Sequence, residues 1–523
     1  MTNMQLAEEV VRELVSVGVK EFCLCAGARN SPLIHFFDKN PHLKAYHFFE
    51  ERSASFFALG KIAQSRRPVA IITTSGTAAA ELLPATVEAT YSSLPLILIT
   101  ADRPKSYRGS GAPQTIEQVG LFSYYIEACF DLDEENTHIS LKGLSWRKPV
   151  HINMCFKEPL LDGEPTIVQI PEKEQRIKFP ESFPLSMVDD IQNFLEKNRP
   201  VVLVSTLPEK TKKSVLEFLK NLKAPIYAEA ISGFRGHPEL QEDLILSGEK
   251  MVARLLDQGH CDAVMRLGGT PTLRLWRDLE THRVETPVLS IGYNHFTGLS
   301  REILHFSDLI DLSRIQVKTQ KPLTKEVKTK DLELSTKMNE LFIRYPRSEP
   351  ALINALSKKI GSDLVYLGNS LPVREWDLAA DPKCRPVNLA ANRGANGIDG
   401  QVSTFLGWAL DGKESWCVIG DLTALYDLSS LWIANQLAPS KLRIVVINNK
   451  GGMIFKRIFN KEIYLNRHQI QFQNWAKMWG WDYQSWEEVP GEIKLSDRQV
   501  IEILPSDEQT EMFWNEWEVC WKN

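Results

Sequence analysis

Short apolar runs rich in β-branched residues alternate with helical patterns along nearly the whole chain, and few folds accept such an alternation. Glu21 to Cys25, Ala45 to Phe49, Val69 to Thr73 and Pro95 to Thr100 read as strands, with helices over Ser53 to Gln64 and Thr77 to Tyr91 between them. Uninterrupted apolar strands joined by helical crossovers point to a parallel sheet covered on both faces. The rhythm restarts after the polar, Pro-containing stretch Pro171 to Pro184, with runs at Pro200 to Ser205, Pro225 to Ala228, Ala263 to Leu267 and Pro287 to Ile291. It restarts again with Leu364 to Leu367, Pro386 to Leu389, Ser415 to Ile419, Leu442 to Ile447 and Gln499 to Ile503. Between these blocks the Lys- and Glu-rich stretch Val317 to Lys337 reads as a solvated connector. The expected architecture is α/β, with three doubly wound parallel-sheet domains over residues 1–175, 185–335 and 345–523. A chain of 523 residues agrees with that number at ~100–200 residues per domain.

Charge and apolar patterning exclude several classes of function. The 61 Lys and Arg stand against 66 Asp and Glu, a formal charge of −5 that offers a nucleic acid backbone no basic field. The longest apolar runs fall well short of the ~20 residues of a membrane span. Met1 to Val19 is a charged amphipathic pattern and not a basic start followed by an apolar block. Eight cysteines are scattered without a Cys-x-x-Cys pair, as expected of reduced thiols in a cytoplasm.

The most specific local signal is Gly420-Asp421-Leu422, then 25 residues, then Asn448-Asn449-Lys450-Gly451. Each half follows an apolar strand, with a helix expected over Thr423 to Gln436 between them, so a right-handed strand–helix–strand crossover brings both to the carboxyl ends of neighbouring strands. Turn chemistry explains either half alone. Together they assemble a carboxylate, an amide oxygen and a backbone carbonyl, hard donors suited to Mg²⁺ that keeps positions open for a diphosphate.

This signature resembles that of thiamine-diphosphate enzymes, whose three-domain layout also matches the division above. The resemblance implies a thiamine-diphosphate-binding fold in which Asp421, Asn449 and the Gly451 carbonyl hold Mg²⁺ (or Mn²⁺), and in which Leu422 and Thr423 lie against the cofactor. Such enzymes also need an acid hydrogen-bonded to the aminopyrimidine, and Phe48-Phe49-Glu50-Glu51-Arg52 supplies it, with Glu51 as the matching catalytic residue. A first-turn glutamate also suits a helix N-terminus on electrostatic grounds alone.

Further runs narrow the resemblance. Cys25-Ala26-Gly27-Ala28-Arg29-Asn30-Ser31-Pro32, Thr74-Ser75-Gly76-Thr77, Thr100-Ala101-Asp102-Arg103-Pro104, Gly368-Asn369-Ser370 with Arg374, and Asn392-Arg393-Gly394-Ala395-Asn396-Gly397-Ile398-Asp399-Gly400 are similar to the 2-succinyl-5-enolpyruvyl-6-hydroxy-3-cyclohexene-1-carboxylate (SEPHCHC) synthases of menaquinone biosynthesis. That family decarboxylates 2-oxoglutarate and adds the succinyl carbanion equivalent to isochorismate in a 1,4 manner. Both substrates are dianions, and arginine forks suit carboxylates. The resemblance gives Arg374 and Arg393 to the succinyl carboxylate and Arg29 and Arg103 to isochorismate. Asn369 and Gln114 are further substrate contacts, Ser370 touches the cofactor, and Ile398 is the apolar wedge beneath it.

Arg29 has a local argument as well, because Ser31 as helix N-cap and Pro32 at the first helical position would place the Gly27 to Asn30 loop over an anion-favouring helix end. The chain departs from the family pattern at Ala28, usually Ser, and at Pro113, often Asn. The resemblance further implies a homodimer or homotetramer with active sites between subunits, and no nucleic acid or membrane partner. The alternative within the same chemistry is a carboligase or decarboxylase acting on another 2-oxo acid; four arginines disfavour a substrate that lacks a second carboxylate.

Overall fold

The computed structural model describes residues 1–169, 185–307, 312, 315, 317, 320, 322–360, 363–384, 388–459 and 461–522. The Pro171 to Pro184 stretch lies outside them, as do part of the Val317 to Lys337 stretch and the start of the Pro386 to Leu389 run. Three sheets form, and every strand pairing in them is parallel. No helix among the described residues is long and apolar enough to cross a membrane.

The first sheet holds β1 (Glu21–Cys25), β2 (Lys44–Phe48), β3 (Val69–Thr73), β4 (Leu96–Asp102), β5 (Ala128–Leu132) and β6 (Val150–Cys155) in the order β2-β1-β3-β4-β6-β5. The second holds β7 (Pro200–Val204), β8 (Ile226–Ala228), β9 (Ala263–Leu267), β10 (Val288–Ile291) and β11 (Leu304–Phe306) in the order β11-β10-β9-β7-β8. The third holds β12 (Leu364–Leu367), β13 (Asn388–Ala390), β14 (Glu414–Gly420), β15 (Lys441–Ile447), β16 (Asp482–Trp486) and β17 (Arg498–Ile503) in the order β13-β12-β14-β15-β17-β16. First and third sheets therefore share one topology. In each, the strand order reverses direction beside the first strand, between β1 and β3 and between β12 and β14. Ligands of open α/β sheets bind in the crevice at the carboxyl ends of strands flanking such a reversal.

By compactness the chain forms two units, one of Met1–Phe179, Gly394–Lys413 and Thr423–Ser440, the other of Pro180–Arg393, Glu414–Leu422 and Lys441–Asn523. In the first unit the helix Glu51–Ser65 is buried without a break from Ser53 to Ile62, so it has no solvent face. The reason is a close crossing with the helix Gln401–Trp408. A Cβ on Gly60 would stand 2.1 Å from the Thr404 carbonyl oxygen, and one on Gly407 2.1 Å from that of Phe57.

The expected helix Thr77 to Tyr91 is two, Thr77–Ala80 and Leu83–Ser92, and the strands β5, β6, β11 and β16 are additional to the expected runs. Three further local expectations change. Much of the Lys- and Glu-rich connector is the helix Lys325–Arg344, capped by the Thr324 side chain, which buries Val327, Leu334, Met338 and Leu341 on one stripe. Lysine and glutamate are good helix formers, so charge there marked the exposed face and not a loop. The expected helix Thr423 to Gln436 is a shorter helix, Asp421–Tyr426, followed by a tighter turn over Ser430–Gln436. Between them Asp427 turns inward, its carboxylate accepting hydrogen bonds from the Gly400 and Val402 amides at 2.8 Å each. The helix Ser31–Lys39 is preceded by Asn30 at the cap position, not Ser31. Asn30 staples its own loop, accepting from the Gly27 amide (2.8 Å) and donating to the Cys25 carbonyl (2.9 Å).

Candidate active site

The residues singled out by sequence fall into two groups. Arg29, Glu51, Arg103, Gln114, Ile398 and Thr423 belong to the first unit; Asn369, Ser370, Arg374, Arg393, Asp421, Leu422, Asn449 and Gly451 belong to the second.

In the first unit Arg29, Glu51 and Arg103 lie past the carboxyl ends of β1, β2 and β4. Glu50 caps the helix that Glu51 opens: its carboxylate accepts from the Arg52 and Ser53 amides (3.0 and 3.1 Å) and from the Ser429 hydroxyl (3.0 Å). Arg52 is pinned to Asp427 at 2.9 Å. Glu51 is half-buried, and loss of solvent raises its carboxyl above the usual range; repulsion from Glu50 and Glu81 adds to the shift, against a hydrogen bond to its own backbone. Arg29 donates to the Phe156 carbonyl (3.0 Å) and pairs with Glu158 (3.3 Å), and Arg103 donates to the Ser75 hydroxyl (3.2 Å).

The loop carrying Arg103 and Gln114 is fastened by a residue that the sequence did not single out. Buried Gln118 accepts from the Gly76 amide (2.9 Å) and donates to the Ala101 carbonyl (3.1 Å) and to Asn153 (2.9 Å). Ile398 rides on a loop held at Gly394 and Ala395 by the Glu88 carboxylate (2.8 and 2.7 Å). Neither Gln118 nor Glu88 carries a local sequence signal, because both act on segments remote in the chain.

In the second unit, β14 delivers Asp421 and β15 delivers the asparagine pair. Asp421 is 2% exposed; it accepts from the amides of Leu422 (2.6 Å) and Gly451 (2.9 Å) and stands 3.2 Å from His468. Burial raises its carboxyl, those contacts opposing the shift. The two asparagines divide their work. Asn448 is spent structurally, its side chain donating to Glu502 and the Ile470 carbonyl and accepting from the Lys450 amide. Asn449 donates from Nδ2 to both oxygens of Glu349 (3.2 and 3.0 Å), whereas its Oδ1 is buried with no hydrogen-bond partner. Gly451 has φ +144°, and a Cβ there would meet the Leu465 carbonyl oxygen at 2.3 Å, so only glycine fits.

An orphaned amide oxygen costs ~1–3 kcal/mol unless something outside the chain satisfies it. One carboxylate, this oxygen and a glycine carbonyl form a hard donor set suited to Mg²⁺ or Mn²⁺. Among the described residues no three His, Cys, Asp or Glu side chains converge as a metal site. The candidate set escapes that pattern because it contains a single carboxylate.

Asn449 lines a cavity of about 780 Å³ with Glu349, Glu375, Arg374, Leu371 and Phe455. Arg374 donates to the Ser370 carbonyl (2.7 Å), and Arg393 donates to the side chain of Asn369, which in turn donates to the Asn392 carbonyl. Ser370 has φ +73° and Lys450 φ +64°, as Gln114 has φ +57° in the first unit. Non-glycine residues held at such angles store strain, which clusters at ligand sites. Glu349, Glu375 and His468 escaped sequence reading: Glu349 looks like any first-turn helix glutamate, and only the fold brings it to Asn449.

Residues 4–121 match the family model of the thiamine pyrophosphate enzyme N-terminal domain, described as TPP-binding. The chain is 55% identical to the 2-succinyl-5-enolpyruvyl-6-hydroxy-3-cyclohexene-1-carboxylate synthase of Bdellovibrio bacteriovorus, over the full length of both. It belongs to the SEPHCHC synthase family. The Akkermansia muciniphila synthase is 35% identical over 94% of this chain and 95% of its own, and that of Chloroflexus aurantiacus 31% over 85% and 82%. Three parallel α/β sheets are thus the thiamine-diphosphate-binding fold of a SEPHCHC synthase family member.

Proposed function

We propose that this chain catalyses the thiamine-diphosphate-dependent decarboxylation of 2-oxoglutarate and the 1,4-addition of the succinyl carbanion equivalent to isochorismate, as a transferase of menaquinone biosynthesis. The observation that carries the reading is the buried, unbonded Oδ1 of Asn449, two residues from the amide that bonds Asp421. Asp421, Asn449 and the Gly451 carbonyl would hold Mg²⁺ or Mn²⁺, with Thr423 against the diphosphate, Leu422 and Ser370 against the cofactor and Ile398 beneath it. When bound, thiamine diphosphate supplies the carbanion that a 2-oxo acid needs in order to lose carbon dioxide.

The chain's own residues do the rest. Glu51 holds or yields a proton at the cofactor's ring nitrogen, a task helped by burial that raises its carboxyl above the ordinary value. Arg374, Arg393 and Asn369 grip the succinyl carboxylate; Arg29, Arg103 and Gln114 orient isochorismate.

We further propose a homodimer or homotetramer in a cytoplasm, with the metal-side residues of one subunit meeting Glu51 of the partner subunit. Its support is exposed aromatic surface that clusters, Phe49 with Trp432 (ring centroids 5.1 Å apart) in the first unit and Phe459 with Tyr464 (4.5 Å) in the second. The eight cysteines, scattered in the sequence without a Cys-x-x-Cys pair, are in keeping with a reducing compartment.

The test is the purified chain with thiamine diphosphate, Mg²⁺, 2-oxoglutarate and isochorismate. Carbon dioxide release that tracks loss of isochorismate is expected, with pyruvate a poor replacement; absence of release from cofactor-loaded protein overturns the reading.

A further inference from the structure

The amide of Asn449 can face the cavity either way round, and only one way offers an oxygen to a cation. The choice is made from behind. Glu349 opens the helix Glu349–Ile360, is 3% exposed, and is itself fixed by its backbone amide donating to the Thr510 hydroxyl at 3.0 Å. Both of its carboxyl oxygens accept from Nδ2 of Asn449, at 3.2 and 3.0 Å. Buried Glu375 is hydrogen-bonded to Glu349 and its carboxyl is the more strongly raised of the two by burial, which places the proton of the pair on Glu375 and leaves Glu349 the acceptor. Against that carboxylate the reversed amide would press Oδ1 onto two carboxyl oxygens, a repulsive contact at buried depth. The neighbouring Asn448 is turned the same way by the Glu502 carboxylate at its Nδ2, but its Oδ1 already accepts from the Lys450 amide and so is not left for a cation.

The structure assigns to Glu349 the role of positioning residue for the cation: it fixes the Asn449 amide so that Oδ1, and not Nδ2, is presented to a divalent metal. This assignment rests on the thiamine-diphosphate reading, and it concerns a residue that touches neither metal nor cofactor. Outer contacts of this kind set the orientation of metal ligands and are commonly worth ~10–100-fold in metal affinity.

The test reads metal binding directly, with free Mn²⁺ followed by electron paramagnetic resonance in protein saturated with thiamine diphosphate. Glu349→Gln lets the second side chain offer either an oxygen or an NH₂ to the amide, and a weakening of Mn²⁺ affinity by about tenfold or more is expected. Asn449→Asp adds a negative ligand yet is also expected to weaken Mn²⁺ binding, because it sets carboxyl against carboxyl. The double variant Glu349→Gln with Asn449→Asp restores a donor–acceptor pair, the NH₂ of the introduced glutamine donating to the new carboxylate, and should recover affinity relative to Asn449→Asp alone. A loss of fold would lower both single variants but could not be reversed by combining them.

If Asn449→Asp binds Mn²⁺ more tightly than the parent, or if folded Glu349→Gln binds it equally well, the positioning role is wrong while the function reading stands. If the parent protein with thiamine diphosphate retains no Mn²⁺ at all, the function reading fails first and the positioning role falls with it.

Discussion

Replacing Gly60 by Ala should destabilise the protein, and the sign is the informative part. In a helix with an open face, Gly→Ala adds about 1 kcal/mol of stability through helix propensity. At Gly60 the new methyl carbon would lie 2.1 Å from the Thr404 carbonyl oxygen, 2.7 Å from the Trp408 nitrogen and 2.9 Å from the Gly407 carbonyl carbon. All three are main-chain atoms, so no side chain can rotate out of the way. Ordinary contact needs about 3.5 Å, which requires the helices Glu51–Ser65 and Gln401–Trp408 to part by more than an ångström along most of their shared length. Overpacking costs about 1–3 kcal/mol where neighbours can yield; rigid neighbours place this case near the top of that range. The net loss is about 2 kcal/mol, or a fall of ~4–8 °C in the melting transition of a unit of this size. Differential scanning calorimetry of the cofactor-free protein checks it. A variant as stable as the parent, or more stable, would mean that the two helices are not in contact, and the reason given for the missing solvent face of the Glu51 helix would be wrong.

Other expectations follow from the buried titrating groups and from the cavity. Glu51 is raised in the fold, so it contributes no penalty below the ordinary carboxyl range and an increasing one as pH climbs from that range to its shifted value; Glu51→Gln should therefore melt higher than the parent at pH 8 and equally at pH 4, while turnover is lost at both. His151 is buried and lowered from 6.5 to about 3, which makes its contribution fall by about 1.4 kcal/mol for each pH unit between those values as acid is added; acid unfolding of His151→Gln should begin at lower pH than that of the parent. Arg374→Leu removes a guanidinium from the wall of the cavity and should raise KM for 2-oxoglutarate by tenfold or more while improving pyruvate relative to it, a steady-state comparison that an unrelated surface arginine would leave flat.

Most of the strands, their parallel pairing and the Asp421–Asn449 spacing were legible because each is written in a window of a few dozen residues, whereas β5, β6, β11 and β16 were not marked. Apolar runs fix the strands, and one crossover fixes the spacing. What escaped depends on distance in the chain. The charged stretch after residue 317 hid its stripe of Val327, Leu334, Met338 and Leu341 among lysines and glutamates that favour helices as readily as loops. Glu349 reaches Asn449 across 100 residues, and Glu88 reaches Gly394 across 306, so no periodicity could pair them. The burial of the helix Glu51–Ser65, which carries Arg52, Lys61 and Gln64, was not legible either, because what covers it, Gln401–Trp408, sits between strands of another sheet in chain order.

That last interleaving limits how the molecule can be dissected. A fragment ending near residue 170 would keep the whole first sheet but lose the segment that covers Gly60, leaving Phe56, Phe57 and Gly60 along a wet groove in the very helix that begins with Glu51. Such a piece would be expected to precipitate or to recruit a foreign apolar surface. Subcloning the N-terminal half for binding studies should therefore append the 394–440 stretch, and the half that retains Asp421 and Asn449 needs the reciprocal excision.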